Sequence, residues 1–376
     1  MRATPLAGPT SIRPCSFTPS PLPCSADVVI VGAGIIGLSI AWRALEVGKS
    51  VTIIDPRPAS GASFVAGGML GATAEVTFAE AGRVDRLRTA RAEWDPFLDD
   101  LSRDQGRALP YVSINTVVAG VHRSDQLEID HLVKFQRSLN LRVEQLGRNE
   151  LDALTPGLGR AIRQGFLLCD DAAVDNRLIL QTLLDVIQRR NASLVVDVVE
   201  HLERRDGQFV ITTSSGVITC EHAVIATGAA PALNSSISLP HIHPVAGVIL
   251  RLKARPSTLQ ITTTIRAIVN GRSCYLVPRS QGELVLGATS VERGYDLAVK
   301  AGEVHQLLDD ARVVFPSIDE YEIIDAEVGL RPTTVDHHPI VEDLGEGLIV
   351  ALGHYRNGFL LAPSTARRVI ELLQKP

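Results

Sequence analysis

Residues 32 to 37 read Gly-Ala-Gly-Ile-Ile-Gly, and what stands on either side of them leaves few folds open to the chain. Val28, Val29, Ile30 and Val31 come first, a short apolar run of the kind a strand buried on both faces requires. Gly32 then permits a tight turn, Gly34 keeps a Cβ out of the way of a pyrophosphate, and Gly37 lets the following helix lie close on the sheet. The pattern predicts that helix from about Ile35 through Ile36 to Val47, stopped by Gly48, with its positive N-terminal end facing the phosphates. A second strand, Val51 to Ile54, ends at Asp55, whose carboxylate can accept hydrogen bonds from both ribose hydroxyls of an adenosine. Strand, glycine turn, helix, strand and acid together predict a dinucleotide site, with NAD and FAD both open.

A chain of 376 residues can bury a sizeable core and is long enough for two domains or one large one. A net charge of −5 gives no reason to expect nucleic acid or an anionic membrane as partner. No run approaches the ~18 apolar residues of a membrane span. Cys15, Cys24, Cys169, Cys220 and Cys274 are scattered and form neither a zinc pattern nor a disulfide framework, which fits a reducing, cytoplasmic setting. Residues 1–25 hold six prolines and no acid, so a disordered tail is expected there. Its composition fits a transit segment and a miscalled start codon equally.

Ala59 to Glu75 is crowded with glycine, alanine and serine, which lets backbone lie against a flat ligand, while Met69 and Leu70 argue for partial burial. A helix is expected over Arg83 to Arg103 with a solvated charged face. A strand over Tyr111 to Val121, a helix over Asp125 to Leu139, a strand over Gly165 to Cys169 and a helix over Arg177 to Arg189 follow. Leu194 to Val199 reads as one strand, Phe209 to Thr213 with Val217 to Cys220 as a hairpin, and His222 to Gly228 as a further strand ending in a glycine turn. Beyond Pro244 the strands Gly247–Lys253, Ala267–Val269, Ser273–Pro278 and Glu283–Ala288 follow without helices between them, which predicts a separate antiparallel sheet. A helix over Leu297 to Phe315 precedes Gly329–Pro332 and Leu348–Gly353, read as a return to the nucleotide fold, and Gly358 to Leu373 forms a final amphipathic helix. With no second Gly-x-Gly-x-x-Gly, the chain is expected to take electrons directly from a substrate.

Four pieces in this order resemble the FAD-dependent D-amino-acid oxidase family and, within it, the glycine oxidases of thiamine (thiazole) biosynthesis. They are VGAGIIG with Asp55, Ala62 and Ser63 with AGGML at 66–70, CYLVPR at 274–279 with LGAT at 286–289, and GLRPTTVDHHPIV followed by GHYRNGFLLAP. The resemblance runs from Asp27 to the C-terminus. It implies an α/β (α+β overall) fold, a Rossmann-like FAD-binding domain of the D-amino-acid oxidase type with an interleaved antiparallel-sheet substrate domain. The implied boundaries are a tail over 1–25, the FAD-binding domain over 26–80, 150–235 and 325–376, and the substrate domain over 81–149 and 236–324.

By the same resemblance Arg331, Tyr275 and Arg356 bind the substrate, and a guanidinium suits a carboxylate because its fork donates two parallel hydrogen bonds. Implied cofactor contacts are Gly32, Gly34, Ile35, Ile36, Gly37, Asp55, Ala62, Ser63, Gly67, Gly68, Met69, Val198, Gly228, His354, Tyr355, Arg356, Asn357, Gly358, Phe359 and Leu360. His354 reads as a loop-shaping or cofactor contact rather than a base, and no side-chain base is obligatory for hydride transfer to a flavin. FAD held without a covalent bond is expected, since the C-terminal motif has no cysteine. Phe64 and Val65 are bulkier than the family pattern, Ser273 and Ser290 leave substrate size open, and His337 and His338 read as loop residues rather than metal ligands. The implied reaction is oxidation of glycine, sarcosine or small D-amino acids with oxygen as acceptor, by a homo-oligomer, for which the resemblance suggests a tetramer. The alternatives are a D-amino-acid dehydrogenase with another acceptor and a non-catalytic flavin-binding scaffold.

Overall fold

The computed structural model describes residues 15–78, 82, 84–231 and 233–375. The chain opens with β1 (Ser25–Val31), α1 (Ile35–Glu46), β2 (Val51–Ile54), α2 (Ala62–Val65) and β3 (Met69–Leu70). Next come α3 (Val84–Ala92), α4 (Trp94–Gln105), β4 (Tyr111–Gly120), α5 (Arg123–Ser138), β5 (Val143–Gly147), α6 (Arg148–Leu154) and β6 (Gln164–Val174). After α7 (Asn176–Arg189) stand β7 (Ser193–Val195), β8 (Val199–Arg205), β9 (Gln208–Thr213) and β10 (Gly216–Ile225). The remainder is β11 (His243–Lys253), β12 (Thr264–Val269), β13 (Arg272–Pro278), β14 (Glu283–Gly287), α8 (Ala301–Val314), β15 (Glu322–Thr333), β16 (Ile340–Asp343), β17 (Leu348–Leu352) and α9 (Gly358–Leu373).

Two sheets result. The first has the order β16-β17-β10-β1-β2-β7, with β8 and β9 hanging from β10 as an antiparallel extension. Its four inner pairings, β17 to β10, β10 to β1, β1 to β2 and β2 to β7, are all parallel. Strands buried on both faces need helices over them, and α1, α7 and α9 supply one cover through Trp42, Leu183 and Leu361. The second sheet runs β15-β11-β14-β13-β12-β4-β6-β3 with β5 beside β6. It is antiparallel except between β12 and β4, and α8 packs Leu307, Ala311 and Val314 on one face.

Several expectations are corrected. Residues 15–25 are not a disordered tail: Ser16 and Gln181 exchange hydrogen bonds of 2.6 and 2.7 Å, Gln188 bonds to both backbone groups of Thr18, and Ser20 N–H donates to the Leu194 carbonyl at 2.8 Å. Prolines suggested disorder, but two glutamines on α7 satisfy the extended backbone that prolines favour. The part of that expectation falling on residues 1–14 lies outside the described residues. The single helix over Arg83 to Arg103 is two, broken at Glu93, and its start falls partly on undescribed positions. Val217–Cys220 and His222–Gly228 are one strand, because β10 pairs with β9 at one end and with β1 at the other. Leu194–Val199 divides at Asp197, whose carboxylate accepts hydrogen bonds from Val198 N–H and Ser215 N–H. Gly329–Pro332 does not return to the nucleotide fold: it belongs to β15 and pairs with β11 in the second sheet. The helix expected from Leu297 begins only at Ala301.

Candidate functional site

The five parallel strands of the first sheet end at one edge, and the residues expected to hold a dinucleotide follow those ends. Gly32 follows β1, Asp55 follows β2, Val198 comes three residues after β7, Gly228 three after β10, and His354 two after β17. The carboxyl edge of a parallel sheet is where loops open a ligand crevice. Gly32 adopts φ +110°, and a Cβ there would stand 2.3 Å from the Ala226 carbonyl oxygen. At Gly37 an added Cβ would come within 1.9 Å of the Gly32 oxygen, so α1 sits as close to the turn as the glycine spacing demands.

α1 begins at Ile35 with Gly34 as cap residue, no capping side chain and no acid in its first turn. Ala33 N–H donates to Asp55 Oδ2 at 2.7 Å, Arg57 N–H to Asp55 Oδ1 at 2.7 Å, and Ile35 N–H to Ser63 Oγ at 3.0 Å. An oriented carboxylate beside an uncapped helix start fits a ribose next to a pyrophosphate, and FAD meets both requirements. Val198 is exposed beyond β7. Ala62 and Ser63 lie on the short α2, while Ile36, Phe359 and Leu360 turn their side chains into the core and leave only backbone for a cofactor. Phe359 stacks on Trp94, whose Nε1 donates to the Phe359 and Leu360 carbonyls at 3.1 Å.

The loop after α2 is anchored from two directions. Gly68 has φ +64°, and a Cβ there would lie 2.2 Å from the Val174 carbonyl oxygen; Met69 beside it pairs with Ala173. Arg279 Nη2 donates to the Gly67 carbonyl at 2.7 Å and to Asn176 Oδ1 at 3.2 Å. Asn176 Nδ2 donates in turn to the Ser63 and Phe64 carbonyls. Burial lowers the pKa of Arg279, and pushes Arg251 beside it down to about 10 with help from Arg177 and Arg279.

Tyr275 and Arg331 are brought together on the second sheet. Tyr275 is buried, and its ring reaches across to Gly287, its partner on β14. Arg331 lies over Gly247 of β11 and donates from Nη1 to the Thr289 carbonyl at 3.1 Å. Among the described residues no carboxylate comes within salt-bridge distance of Arg331. Burial raises the Tyr275 pKa and the Arg331 charge opposes it, so the hydroxyl keeps its proton as a donor. Arg356 stands at the rim, exposed, in a 3-10 turn over Tyr355–Asn357, with its guanidinium 5.1 Å from the Tyr355 ring centre. Tyr355 has φ +48° and stacks on His337 at 4.7 Å, and Asn357 and Gly358 lead into α9. His354 is buried, with Nε2 2.9 Å from Thr365 Oγ1, and burial pushes its pKa down to about 3. It is neutral and tied to α9.

Residues absent from the sequence expectations complete the surroundings. Arg266 stands opposite Tyr275 across β12 and β13 and pairs with Glu75 at 2.6 Å. Burial opposes both charges, yet their attraction wins: the Glu75 pKa is lowered and that of Arg266 raised. Asp171 accepts hydrogen bonds from Thr73 N–H at 2.7 Å and Ala74 N–H at 3.2 Å, and burial still pushes its carboxyl up to about 7. Gly71 was an available signal, since a Cβ there would stand 3.3 Å from Glu75 Cγ and 3.6 Å from Arg266 Nη1, the kind of close approach glycine permits.

The sequence matches the family described as FAD dependent oxidoreductase over residues 27–372. It is 30% identical to the glycine oxidase of Geobacillus kaustophilus over 359 residues, covering 93% of each chain. It is also 30% identical over 361 residues to the bifunctional protein ThiO/ThiG of Nostoc sp., covering 92% of this chain and 52% of that one, so it spans about half the length of that relative. Among solved structures, the crystal structure of glycine oxidase from Geobacillus kaustophilus superposes with a TM-score of 0.85 over 94% of this chain and 95% of that one, at 30% identity.

Proposed function

We propose, since the chain belongs to the FAD dependent oxidoreductase family, that it oxidises glycine, and with it sarcosine or small D-amino acids, to the imino acid. Glycine, oxygen and water would give glyoxylate, ammonia and hydrogen peroxide, a supply for thiamine thiazole synthesis. The observation that carries this reading is Arg331: a partly buried guanidinium with no carboxylate within salt-bridge distance among the described residues, whose charge acts on the hydroxyl of Tyr275. Such a fork offers two parallel hydrogen bonds to an α-carboxylate, and the desolvated surroundings strengthen them. Arg356 supplies a second positive charge, which like that of Arg331 acts on Glu75.

Gly32, Gly34, Gly37 and Asp55 would hold the adenosine and pyrophosphate of FAD, with Val198 and Gly228 along the same strand edge. Ala62, Ser63, Gly67, Gly68 and Met69, together with the backbone from His354 to Leu360, would frame the ring system. When bound, that ring system supplies the acceptor for a hydride from the α-carbon. The chain itself binds the carboxylate, orients the α-hydrogen and keeps Tyr275 protonated. His354 is held neutral against Thr365 and takes no proton, which supports a reaction without a side-chain base. An arginine fork left open to an anion near a donor hydroxyl favours catalysis over a scaffold role.

Mixing the holoenzyme anaerobically with glycine should bleach the yellow absorbance, and admitting oxygen should restore it with hydrogen peroxide formed. Bleaching that oxygen fails to reverse would favour a dehydrogenase with another acceptor, and no bleaching would overturn the reading. Acid denaturation should release the flavin into solution, as a noncovalent cofactor requires, and gel filtration of the holoenzyme should give more than one chain mass.

A further inference from the structure

Arg331 and Tyr275 extend toward each other over the two strands between them, and each passes over a glycine. Arg331 on β15 pairs with Val245, and Gly329 pairs with Gly247, so the guanidinium has travelled sideways onto β11. A Cβ at Gly247 would stand 2.4 Å from Arg331 Nη1 and 2.5 Å from Nη2. From the other side, Tyr275 on β13 pairs with Gly287, where a Cβ would stand 2.5 Å from both the hydroxyl and the carbon bearing it. β11 and β14 are themselves neighbours, with Ile249 opposite Gly287, so the two polar ends converge above that pair of strands. Neither glycine has a left-handed φ, so φ gives no reason for glycine at either place. A glycine inside a strand weakens it, and what these two provide in return is room.

We infer that Gly247 and Gly287 are positioning residues of the carboxylate site, forming a bare floor on which Arg331 and Tyr275 lie flat. This rests on the reading of Arg331 and Tyr275 as the carboxylate-binding pair. The two positions differ in how much can yield. Above Gly247 stands the far end of a flexible side chain, so alanine displaces the guanidinium by about 1 Å and leaves the sheet intact. The Tyr275 ring has less freedom, because a Cβ at Gly67 on its other side would already be 3.2 Å from Cε2. Alanine at 287 therefore disturbs the ring and the Gly67 loop together.

The test uses holoenzyme carrying Gly247→Ala, Gly287→Ala, Arg331→Ala and the double variant Gly247→Ala with Arg331→Ala. Acetate is titrated as a small carboxylate and its binding followed by the change in flavin absorbance, with melting temperature and flavin content measured alongside. Gly247→Ala should weaken acetate about 10- to 100-fold, as the loss of a charge-assisted hydrogen bond would, while melting temperature and flavin content stay at wild type. Adding Gly247→Ala to Arg331→Ala should weaken acetate no further, since the glycine acts only through the guanidinium. Unchanged acetate affinity in Gly247→Ala, or losses that add in the double variant, would overturn the inference. If Gly287→Ala does not fold, Gly247→Ala decides alone. Wild-type protein that fails to oxidise glycine while this non-additivity holds would overturn the substrate reading and leave the floor standing.

Discussion

Arg266 and Arg331 flank Tyr275 on the second sheet, and their surroundings differ in one respect. Arg266 has Glu75 at 2.6 Å, with both side chains less than a fifth exposed. Arg331 also acts on Glu75 through space, but among the described residues its hydrogen bond goes to the Thr289 carbonyl and no carboxylate lies within salt-bridge distance. A buried charge with a partner is part of the fold, because losing either member leaves the other uncompensated. A guanidinium whose one recorded bond goes to a neutral carbonyl keeps most of its donors for an incoming anion. The contrast ties Arg266 to the loop that carries Glu75 and supports the proposal that Arg331 is kept for the substrate.

Breaking the paired end should cost stability first. Arg266→Met or Glu75→Leu alone should destabilise by about 3–5 kcal/mol, and the two together should recover much of that. Arg331→Met should change the melting temperature little. Thermal unfolding of the four variants checks this, and an Arg331→Met loss as large as that of Arg266→Met would erase the comparison.

A smaller effect, of up to about 4 kcal/mol, is expected from Asp171, which holds the same loop by the amides of Thr73 and Ala74. Burial raises its folded pKa to about 7, above the unfolded value of 3.8. The folded state therefore binds the extra proton, and the stability this contributes is complete below pH 4 and lost as pH rises through 7. Wild type should lose stability relative to Asp171→Asn across that window. A difference between the two proteins that stays flat from pH 4 to pH 8 would count against a buried, protonated Asp171.

The smallest expected effect lies far from the pocket. Gln181→Ala and Gln188→Ala each remove paired hydrogen bonds to residues 16 and 18, at about 1 kcal/mol apiece. Flavin content and glycine dependence should stay at wild type. A drop in glycine affinity would tie this segment to the site and blur the separation between fold and function.

The nucleotide edge was legible because its constraints are local. Strand, turn, helix and acid lie within Asp27 to Asp55, and Gly37 answers to the Gly32 oxygen five residues back, although Gly32 itself meets the distant Ala226. The family resemblance brought Tyr275 and Arg331 forward, and the structure does set them together. Glu75 and Arg266 are 191 residues apart, and nothing local in either segment announces the other. The docked segment from Cys15 was misread for the same reason, since its partners Gln181 and Gln188 sit on α7. Gly329–Pro332 was assigned to the wrong sheet because an apolar strand looks alike in either setting.

The central claim, that Arg331 is the cation held for the substrate carboxylate, is tested most directly by anaerobic flavin reduction against glycine concentration in wild type, Arg331→Lys and Arg331→Ala, with bound FAD quantified in each. Losing one partner of such a pair costs roughly 2–5 kcal/mol, or about 30-fold to several thousand-fold in apparent affinity. Alanine should show that loss with FAD retained, and lysine, which keeps the charge without the fork, should fall between. An unchanged glycine dependence in Arg331→Ala would contradict the claim.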